Sequence, residues 1–360
     1  MKKYRHTVHE SATLLQALEK LNKLSGGTMA LFVVDGEERV KGSLTDGDVR
    51  RALLNGHSMD DAVAVAMNTS FRYVDSNTDS PHEIVSKLRE MRACGISMVP
   101  VLDRNRVLAD IIDLNVTATR LPVKAILMAG GKGERLRPMT LTVPKPLLEI
   151  ENKAIIDYNV EALARAGVTD ITVITRYLAE KIHAHFRHPV GGVNVKCIEE
   201  TQPLGTIGGA ALGLTAGEDD ARAVIVMNSD LLTTISFEDM YMRHIDEHAD
   251  ITVAVIPYTL SVPYAILATE HNKVSGIEEK PTYTYFANAG IYMINNGILA
   301  SMPDGKIIDA TDLIADVISH GGKVVCHPVD GTWIDIGSPA DFQRASEMMR
   351  HHRNLTRRRQ

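Results

Sequence analysis

The first third of the chain repeats one pattern of apolar and polar positions twice. In residues 8–60 an amphipathic helical segment, SATLLQALEKLNK, precedes a β-branched run, ALFVVD, a polar turn and GSLTDGDVRRALLNG. Residues 65–118 repeat that order with PHEIVSKLREMRACG, SMVPVLD and VLADIIDLNV. A helix, strand, turn and strand repeated in tandem indicate an internal duplication. One copy alone would leave a face of its small sheet uncovered, so we expect the two copies to pack against each other.

From residue 124 onward, short β-branched runs alternate with amphipathic helical segments. The runs include KAILMA, DITVIT, NVKCIEE and AVIVMNSD, and the helical segments include AIIDYNVEALARAG and FEDMYMRHIDEHA. This alternation predicts an α/β fold with a doubly wound, mostly parallel sheet. Ligands of such sheets bind outside the carboxyl ends of the strands.

The segment TRLPVK at residues 119–124 contains a proline and leads into an apolar strand, which is typical of a domain boundary. We therefore predict a duplicated N-terminal domain over residues 1–120 and a larger α/β domain over residues 121–350. The last residues, 351–360, read HHRNLTRRRQ and form a predicted basic tail.

The composition narrows the possible partners and location. The chain has 360 residues, 44% of them apolar, and a formal net charge of −6, which gives no reason to expect nucleic acid or an anionic membrane as a partner. It has no apolar stretch of about 18 residues and no apolar leader segment, so we expect a cytoplasmic protein. The cysteines Cys94, Cys197 and Cys326 stand far apart, which predicts neither disulfides nor a zinc site, and we expect them to be buried.

The segment GSLTDGD resembles the ligand-binding part of cystathionine-β-synthase-type (CBS) modules, and the duplication resembles a tandem pair of them. The residues that carry the resemblance are Gly42, Thr45, Asp46 and Asp48. It implies that Thr45 and Asp48 hold the phosphate and ribose hydroxyls of an adenine-nucleotide effector. A hydroxyl at a helix start also caps the helix, which is worth about 1 kcal/mol. The second copy has Asp113 and Val116 at the matching positions, so its half-site is degenerate, and packing or dimerisation is the alternative role of the pair.

A glycine-rich stretch, LMAGGKGERLRPMT at residues 127–140, follows the first apolar strand of the larger domain. It lacks the Gly-Lys-Ser/Thr of a Walker loop, and Gly131 and Gly133 are not followed by the third glycine of a dinucleotide fingerprint. Glycines after a buried strand let backbone N–H groups approach an anion closely, and Lys132, Arg135 and Arg137 add charged donors. The stretch therefore predicts a polyphosphate ligand.

Further segments follow in order: PKPLLEI, EETQPLGTIGGA, MNSDLL, EEKP, NAGIY and WIDIGSP, beginning at residues 144, 199, 227, 278, 288 and 333. Their order and content resemble the sugar-1-phosphate nucleotidylyltransferases over residues 124 to about 345. The resemblance implies a Rossmann-like nucleotidyltransferase domain behind the tandem CBS pair. That pairing is most similar to guanylyltransferases that make GDP-activated amino sugars or hexoses.

Two aspartates are predicted to bind a metal ion. Asp230 closes the apolar strand AVIVMNSD, and Asp335 lies in WIDIG, a second strand that ends at a glycine. Carboxylates from distant positions that meet at the ligand edge of the sheet would hold Mg²⁺ against phosphate oxygens. Each aspartate alone is more typical of a helix cap or a turn, but their positions in two motifs that match the family reverse that preference and favour the metal role.

The remaining site residues are predicted largely from the resemblance. Arg135 and Lys145 are expected to be catalytic, because cationic donors bind a triphosphate and stabilise its transition state. The predicted nucleotide-binding residues are Gly130, Gly131, Gly133 and Gly205. The predicted sugar-phosphate-binding residues are Glu279, Lys280, Asn288 and Gly290. For the PKP and NAGIY segments, a rigid turn is the structural alternative.

The predicted activity is Mg²⁺-dependent transfer of a nucleotidyl group, GMP from GTP, to a hexose-1-phosphate or glucosamine-1-phosphate acceptor, for surface-glycan or nonulosonic-acid precursors. Guanine comes from the resemblance, and thymine and uracil stay open. A mannose-1-phosphate guanylyltransferase is the alternative within the enzyme class, and a nucleotide sensor without turnover is the alternative outside it. We also expect a homo-oligomer.

Overall fold

The computed structural model describes residues 5–24, 27–214 and 223–357. The chain divides into two compact units, one formed by Met1–Leu121 with Arg165–Gly167 and the other by Pro122–Ala164 with Val168–Gln360. The main division therefore falls inside the segment TRLPVK. Of the predicted basic tail, residues 358–360 lie outside the described residues.

The N-terminal unit contains two halves with the same topology. In each half, the central strand of a three-stranded sheet is parallel to the first strand and antiparallel to the third. The first half consists of β1 (Thr7–His9), α1 (Leu14–Asn22), β2 (Ala30–Val34), β3 (Val40–Thr45) and α2 (Asp46–Leu54). The second half consists of β4 (Val74–Asp75), α3 (Pro81–Ala93), β5 (Met98–Leu102) and β6 (Leu108–Asp113), after a short 3₁₀ helix, Val63–Val65.

Polar residues start the helices of this unit. Thr13, Thr45 and Ser80 each accept a hydrogen bond from the backbone N–H three residues later, and that residue's side chain accepts one from the cap's own N–H. Such reciprocal caps satisfy backbone donors that the helix leaves unpaired. The helix α1 then buries Leu14 and Leu21 on one face, as a helical repeat of apolar positions predicts.

The two sheets of the N-terminal unit pack on each other. Alternate residues of β2 share an apolar cluster with residues of β3, β5 and β6, while the intervening residues of β2 face α1 and α2. The helix α3 covers the other face of the second sheet. The predicted packing of the two copies is therefore confirmed. It follows from the two-residue period of a strand, which gives each sheet two apolar faces to cover.

The C-terminal unit alternates strands and helices, as predicted. Its strands are β7 (Lys124–Ala129), β8 (Glu149–Ile150), β9 (Lys153–Ala154), β10 (Ile171–Thr175), β11 (Val195–Glu199), β12 (Ala223–Asn228), β13 (Leu231–Thr233), β14 (Ile251–Ser261), β15 (Ile266–Glu270), β16 (Lys273–Glu278), β17 (Thr282–Asn295), β18 (Val324–Pro328) and β19 (Trp333–Asp335). Its helices are α4 (Ile155–Arg165), α5 (Ala179–His185), α6 (Phe237–Asp246), α7 (Asn296–Ala300), α8 (Ala310–Ser319) and α9 (Pro339–Arg357). Short 3₁₀ helices span Glu134–Leu136, Met139–Leu141, Lys145–Leu147 and Gly208–Gly213.

A seven-stranded sheet organises this unit, in the order β11-β10-β7-β12-β17-β14-β18. All neighbouring strands are parallel except at β17, which is antiparallel to both β12 and β14. The chain passes from β7 to one side, through β10 and β11, and then returns to place β12 on the other side. The carboxyl ends of β7 and β12 therefore meet where the strand order reverses, and ligands of doubly wound sheets bind at such a point.

The strands β14 and β17 continue together well beyond the sheet. Their pairing runs from Val255 opposite Asn288 to Ser261 opposite Thr282, and β15 and β16 form a second hairpin at the far end. We call residues 257–286 the β-arm. All residues of the β-arm are exposed except four, which are buried or half-buried: Val262, Gly276, Pro281 and Tyr283.

The structure contradicts one general expectation from the sequence. The expectation that the cysteines are buried is wrong, because Cys94 and Cys326 are exposed and Cys197 is only partly buried. Cys94 follows the last turn of α3, and Cys326 lies on β18, which forms an edge of the sheet. Within the described ranges, none of the helices has the length and apolar character needed to cross a bilayer.

Candidate active site

The glycine-rich stretch begins where β7 ends, at the ligand edge of the sheet. Gly133 has a φ of 61°, and its carbonyl oxygen accepts a hydrogen bond from the Thr140 hydroxyl at 2.7 Å. Thr140 is fully buried, so this bond anchors the turn from inside. Lys132 and Arg135 remain exposed on its outer side, where they are accessible to an anion.

The two predicted metal-binding aspartates lie together because their segments pair. The strand β13 directly follows Asp230 and is antiparallel to β19, with Leu231 opposite Asp335. The Ile336 N–H also donates to the Asp230 carbonyl oxygen at 3.1 Å. Strand pairing thus brings two residues from distant motifs to one place.

Lys145 lies between the two carboxylates. Its ammonium group forms an ion pair with Oδ2 of Asp230 and lies 3.8 Å from Oδ1 of Asp335. Its side chain is only 13% exposed. Burial raises the pKa of Asp335, the neighbouring Asp230 raises it further, and the charges of Lys145 and Arg135 oppose the rise. Two predicted catalytic cations and two predicted metal ligands therefore form one cluster.

The cluster has the donor chemistry of a divalent cation site. Oδ1 of Asp230 is buried and has no hydrogen-bond partner in the part of the chain that the structure describes, which is costly for a carboxylate. The Lys145 ammonium lies beside both carboxylates, and carboxylate oxygens are the ligands that hard cations prefer, so Asp230 and Asp335 would hold such an ion. Among the described residues, no group of three or more His, Cys, Asp or Glu side chains is arranged to hold a metal. An ion bound here would therefore complete its coordination with phosphate or water.

A first cavity, of about 380 Å³, opens beside this cluster. The predicted residues that line it are Gly130, Gly131, Lys145, Gly205 and Asp230. Gly133 lies beneath the loop instead, where an added Cβ would come within 3.1 Å of the Lys145 Cβ. The cavity thus combines exposed loop backbone with a cation and a carboxylate, which suits a polyphosphate chain.

The first cavity also contains a buried carboxylate that the sequence analysis did not single out. Glu200 is 5% exposed, and its Oε2 lies 3.9 Å from Nε of Arg176, which is itself buried without a hydrogen-bond partner in the described residues. Burial raises the pKa of Glu200, and the charge of Arg176 opposes the rise. A Cβ added at Gly209 would lie 2.1 Å from Oε1, so only a glycine leaves room for this carboxylate.

The sequence offered one indication that Glu200 belongs to the site, which is its position in the motif EETQPLG beside Glu199. Glu199 ends β11 and is exposed, whereas Glu200 follows the strand and turns inward. Gly205 in the same motif has a φ of 83°, and a Cβ there would lie 2.4 Å from the Ile308 carbonyl oxygen. The glycine is required for that close passage of two backbones.

A second cavity, of about 360 Å³, adjoins the first, since Thr206 and Asn228 line both. Its lining includes the predicted residues Asn288, Gly290 and Asp335. Asn288 is fixed at both ends of its amide: Nδ2 donates to the Tyr292 hydroxyl at 2.8 Å, and Oδ1 accepts from the Gly290 N–H at 2.9 Å.

Two further residues of the second cavity were not predicted to bind a ligand. Trp333 donates from Nε1 to the Ala289 carbonyl oxygen at 2.9 Å, so it packs as an anchor of the WIDIG turn. Asp309 precedes α8, and its Oδ1 accepts from the Thr206 N–H at 2.9 Å. The charged side chains that line this cavity, Asp309 and Asp335, are both acidic.

Glu279 and Lys280 are not brought to this site. Both are exposed in the β-arm, between β16 and β17, and neither lines the first or the second cavity. The paired strand between Thr282 and Asn288 alone spans about 20 Å at roughly 3.3 Å per residue. Their sugar-phosphate role stays a prediction.

In the N-terminal unit, Thr45 and Asp48 are engaged with each other. The Thr45 hydroxyl donates to Oδ2 of Asp48 at 2.6 Å, and the Thr45 N–H donates to the same oxygen at 2.7 Å. Oδ1 of Asp48 pairs with Arg51 at 2.5 Å. Thr45 therefore caps the helix α2, which is the alternative role given in the sequence analysis. Ligand binding by Thr45 and Asp48 stays a prediction.

Comparison with known families agrees with this site. Residues 124–352, more than half of the chain, match the model of the nucleotidyl transferase family. The chain therefore belongs to the nucleotidyl transferase family. Residues 1–55 match the CBS domain model, which covers the first half of the N-terminal unit.

Individual relatives can be named for the C-terminal unit. The chain is 31% identical over 229 residues to mannose-1-phosphate guanyltransferase beta-B of Xenopus laevis, and 33% identical over 227 residues to mannose-1-phosphate guanyltransferase of Schizosaccharomyces pombe. Each match covers 61% of this chain and 62% of the relative. The chain thus spans less than two thirds of the length of these relatives.

Solved structures confirm the predicted fold. A Bacillus anthracis protein assigned as a glucose-1-phosphate thymidylyltransferase matches with a TM-score of 0.50 at 22% identity, covering 63% of this chain and 94% of that one. HddC from Yersinia pseudotuberculosis matches with a TM-score of 0.50 at 25% identity, covering 63% and 99%. The fold is an α/β nucleotidyltransferase fold with a large, mostly parallel sheet.

Proposed function

We propose that the protein is a sugar-1-phosphate guanylyltransferase, which transfers GMP from GTP to a hexose-1-phosphate or amino-sugar-1-phosphate and releases pyrophosphate. The observation that carries the proposal is the position of Asp230 and Asp335. Asp230 lines the first cavity, Asp335 lines the second, and Lys145 joins them. Two anionic substrates, one in each cavity, would meet at this cluster.

The reaction needs positioning and positive charge. A phosphate oxygen of the sugar phosphate forms a bond to the α-phosphorus of GTP, while the bond from that phosphorus to the pyrophosphate oxygen breaks. Lys145 would donate to the α-phosphate at the junction, and Arg135 would bind the leaving phosphates from the loop. The backbone N–H groups of Gly130 and Gly131 add neutral donors that need no desolvation of a charge.

We assign Asp230 and Asp335 to hold a divalent cation, with Mg²⁺ as the physiological ion. The buried, unpaired Oδ1 of Asp230 supports this assignment. When bound, Mg²⁺ would neutralise phosphate charge at the reacting phosphorus. Asp230 and Asp335 themselves orient the cluster through the pairing of β13 with β19.

Glu200 supports guanine as the base. The Watson–Crick edge of guanine presents two adjacent donors, N1–H and the N2 amino group, and an ionised carboxylate accepts from both. Uracil and thymine present a donor flanked by carbonyl oxygens, which a carboxylate would repel. Glu200 is the buried carboxylate of the first cavity; burial raises its pKa, and the charge of Arg176 beside it opposes that rise.

The second cavity supports a neutral or cationic sugar. Its charged lining residues, Asp309 and Asp335, are acidic, so an acidic sugar ring would be repelled. The ammonium group of an amino sugar would gain an ion pair with the Asp309 carboxylate. We therefore propose glucosamine-1-phosphate as the preferred acceptor. Mannose-1-phosphate is the second candidate, since the relatives that the chain matches carry that name.

The N-terminal unit is proposed to be regulatory. Its two halves share one topology, which supports a tandem CBS pair over residues 1–120. The effector that we propose for it is an adenine nucleotide. The domains 121–350 and 351–360 are proposed to be the catalytic domain and a basic tail. A cytoplasmic location is proposed because the substrates, GTP and sugar phosphates, are cytoplasmic metabolites.

The decisive experiment is a matrix of four nucleoside triphosphates against mannose-, glucose-, glucosamine- and N-acetylglucosamine-1-phosphate, with Mg²⁺ and with pyrophosphate as the readout. We expect release with GTP and glucosamine-1-phosphate to exceed every other pair. The Asp230→Asn variant should lose release, while Asp316→Asn, an exposed acidic residue on α8, should keep it. Tight nucleotide binding without release from any pair would instead identify a sensor and overturn the enzyme proposal.

A further inference from the structure

Arg176 carries a buried hydrogen-bond donor for which the protein supplies no acceptor. Its Nε is buried and has no hydrogen-bond partner among the residues that the structure describes. The side chain as a whole is 30% exposed, and Arg176 lines the first cavity. A buried donor without a partner is costly, so this position favours a ligand that brings an acceptor to it.

The strand order places Arg176 at one end of the first cavity. Arg176 follows β10 and Glu200 follows β11. Gly130 follows β7, and Asp230 lies shortly beyond β12. These four strands are parallel and neighbour each other in the order β11-β10-β7-β12. At about 4.8 Å between strands, the ends of β11 and β12 are roughly 14 Å apart. A nucleotide whose phosphates meet Gly130 and Asp230 would therefore extend its base toward Arg176 and Glu200.

Gly130 lets Arg176 and Glu200 lie against the same piece of backbone. A Cβ added at Gly130 would lie 3.1 Å from Oε2 of Glu200 and 3.5 Å from the Arg176 Cβ. Nε of Arg176 is 3.9 Å from the same Oε2, which is longer than a hydrogen bond. The guanidinium group therefore stands beside the carboxylate and keeps its Nε–H for a further partner.

We propose that Arg176 takes part in reading the guanine base by donating to its O6 atom, while Glu200 accepts from N1–H and the N2 amino group. This inference rests on the proposed function, because it concerns how the same site recognises GTP. The three groups of guanine follow each other along one edge of the base, in the order N2, N1 and O6. A carboxylate with a guanidinium group beside it offers two acceptors and a donor in the matching order.

Arg176 would also exclude adenine. Adenine has an amino group, which is a donor, at the position of O6 in guanine, and its N1 is an acceptor. The amino group would face the Arg176 donor, and N1 would face the Glu200 carboxylate. A site built to pair with particular polar groups rejects a ligand that leaves those groups without partners.

The neighbourhood of Arg176 argues against a phosphate-binding role for this side chain. A phosphate in contact with the guanidinium group would also lie beside Glu200, whose carboxylate is 5% exposed. Two anions that meet in a buried site repel each other strongly. A neutral base with an acceptor next to its donors fits this pair of side chains better.

Calorimetric titration of the full chain with GTP, ITP and 6-thio-GTP tests the proposal without turnover. ITP lacks the N2 amino group and keeps O6, whereas 6-thio-GTP replaces O6 by sulfur, which is a weak acceptor. We expect the wild type to bind GTP at least about 10-fold more tightly than 6-thio-GTP, since a hydrogen bond to a charged group is lost. This comparison needs no variant, and equal binding of GTP and 6-thio-GTP would overturn the proposal.

The variant Arg176→Met removes the donors and keeps a long side chain. Its ratio of GTP affinity to 6-thio-GTP affinity should fall to about one, while its ratio of GTP to ITP affinity should stay as in the wild type. Arg187→Met is the matched control, because Arg187 is exposed and lines neither cavity, and it should keep both ratios. An equal loss of affinity for all three nucleotides in Arg176→Met would show that Arg176 does not contact O6, and would refute the proposal.

Failure of this inference differs from failure of the proposed function. Pyrophosphate release that requires GTP, together with an unchanged ratio of GTP to 6-thio-GTP affinity in Arg176→Met, would retain the guanylyltransferase and remove Arg176 from base recognition. A wild type that binds UTP or dTTP more tightly than GTP would overturn both.

Discussion

Replacing Glu200 with glutamine tests how the protein selects its base. The side chain keeps its size, so the buried contact with Gly209 is preserved. The change replaces a carboxylate, which accepts two hydrogen bonds, by an amide with one acceptor and one donor. The glutamine NH₂ group would then face one of the two N–H donors of guanine, so that hydrogen bond is lost. Uracil and thymine offer one N–H donor beside a carbonyl oxygen, which matches the oxygen and the NH₂ group of the glutamine.

The magnitude follows from the burial of Glu200. A hydrogen bond to a charged group contributes about 1.5–3 kcal/mol, and leaving its partner unpaired in a buried site costs a similar amount. With Glu200 5% exposed, water does not replace the lost acceptor. We therefore expect kcat/KM for GTP to fall by roughly 100-fold, about 3 kcal/mol, and the preference for GTP over UTP to fall by more.

The assay is pyrophosphate release with GTP, UTP and dTTP at a fixed acceptor concentration. Glu199→Gln is the matched control, because Glu199 is adjacent in sequence but exposed, and its ratios should equal those of the wild type. Because the pKa of Glu200 is raised, GTP binding by the wild type should weaken as pH falls, and binding by Glu200→Gln should not. An unchanged ratio of GTP to UTP in Glu200→Gln would show that this carboxylate does not read the base.

Three further predictions concern the other parts of the site. Asp335→Asn should lower kcat by about 1000-fold or more without loss of helical circular dichroism, since two anions would then meet with one metal ligand fewer; retained turnover would exclude Asp335 from the metal site. Burial and the neighbouring Asp230 raise the pKa of Asp335, so without metal the free energy of unfolding should fall as pH rises through that pKa. Mg²⁺ should therefore raise the melting temperature more at pH 8 than at pH 5, and at a hundredfold excess over its Kd it would add about 2.7 kcal/mol to the free energy of unfolding. An equal rise of the melting temperature at both pH values would contradict the metal site. Asp309→Asn should reduce the preference for glucosamine-1-phosphate over glucose-1-phosphate by about 10-fold in kcat/KM, since it removes one ion pair; a constant ratio in the same pyrophosphate assay would remove Asp309 from acceptor selection.

Local sequence patterns were sufficient to predict those features of the fold that depend on a single helix or strand and on which of its faces is buried. The two-residue and helical repeats of residues 8–118 predicted two similar halves, because a small sheet with two apolar faces must be covered on both. The order of strands and helices after residue 124 predicted the parallel sheet. The glycines after β7 predicted where a phosphate chain would bind, because the carboxyl ends of such strands share one edge.

Those patterns could not predict which side chains from distant parts of the sequence become neighbours in the folded protein. Lys145 was assigned to the triphosphate and the transition state, and the structure also places its ammonium group between Asp230 and Asp335. Lys280 was assigned to the sugar phosphate, and that role stays a prediction, because Lys280 lies just outside the pairing of β14 with β17 and lines neither cavity. The same pairing exposes an aromatic face that an alternating pattern of tyrosines and threonines alone would equally assign to a buried sheet.

The sequence by itself determined the class of fold, because the fold class depends on the periodicity of apolar residues. It also determined the boundary near residue 120, which is marked by a proline before an apolar strand, and the types of chemistry available, which depend on the residue types present. Only the tertiary structure decided which carboxylate is buried beside a glycine, as Glu200 is and Glu199 is not, and which distant groups share one charge cluster. Those outcomes depend on strand register and on burial, and a shift of one residue in register would move each of these side chains to the opposite face of its strand.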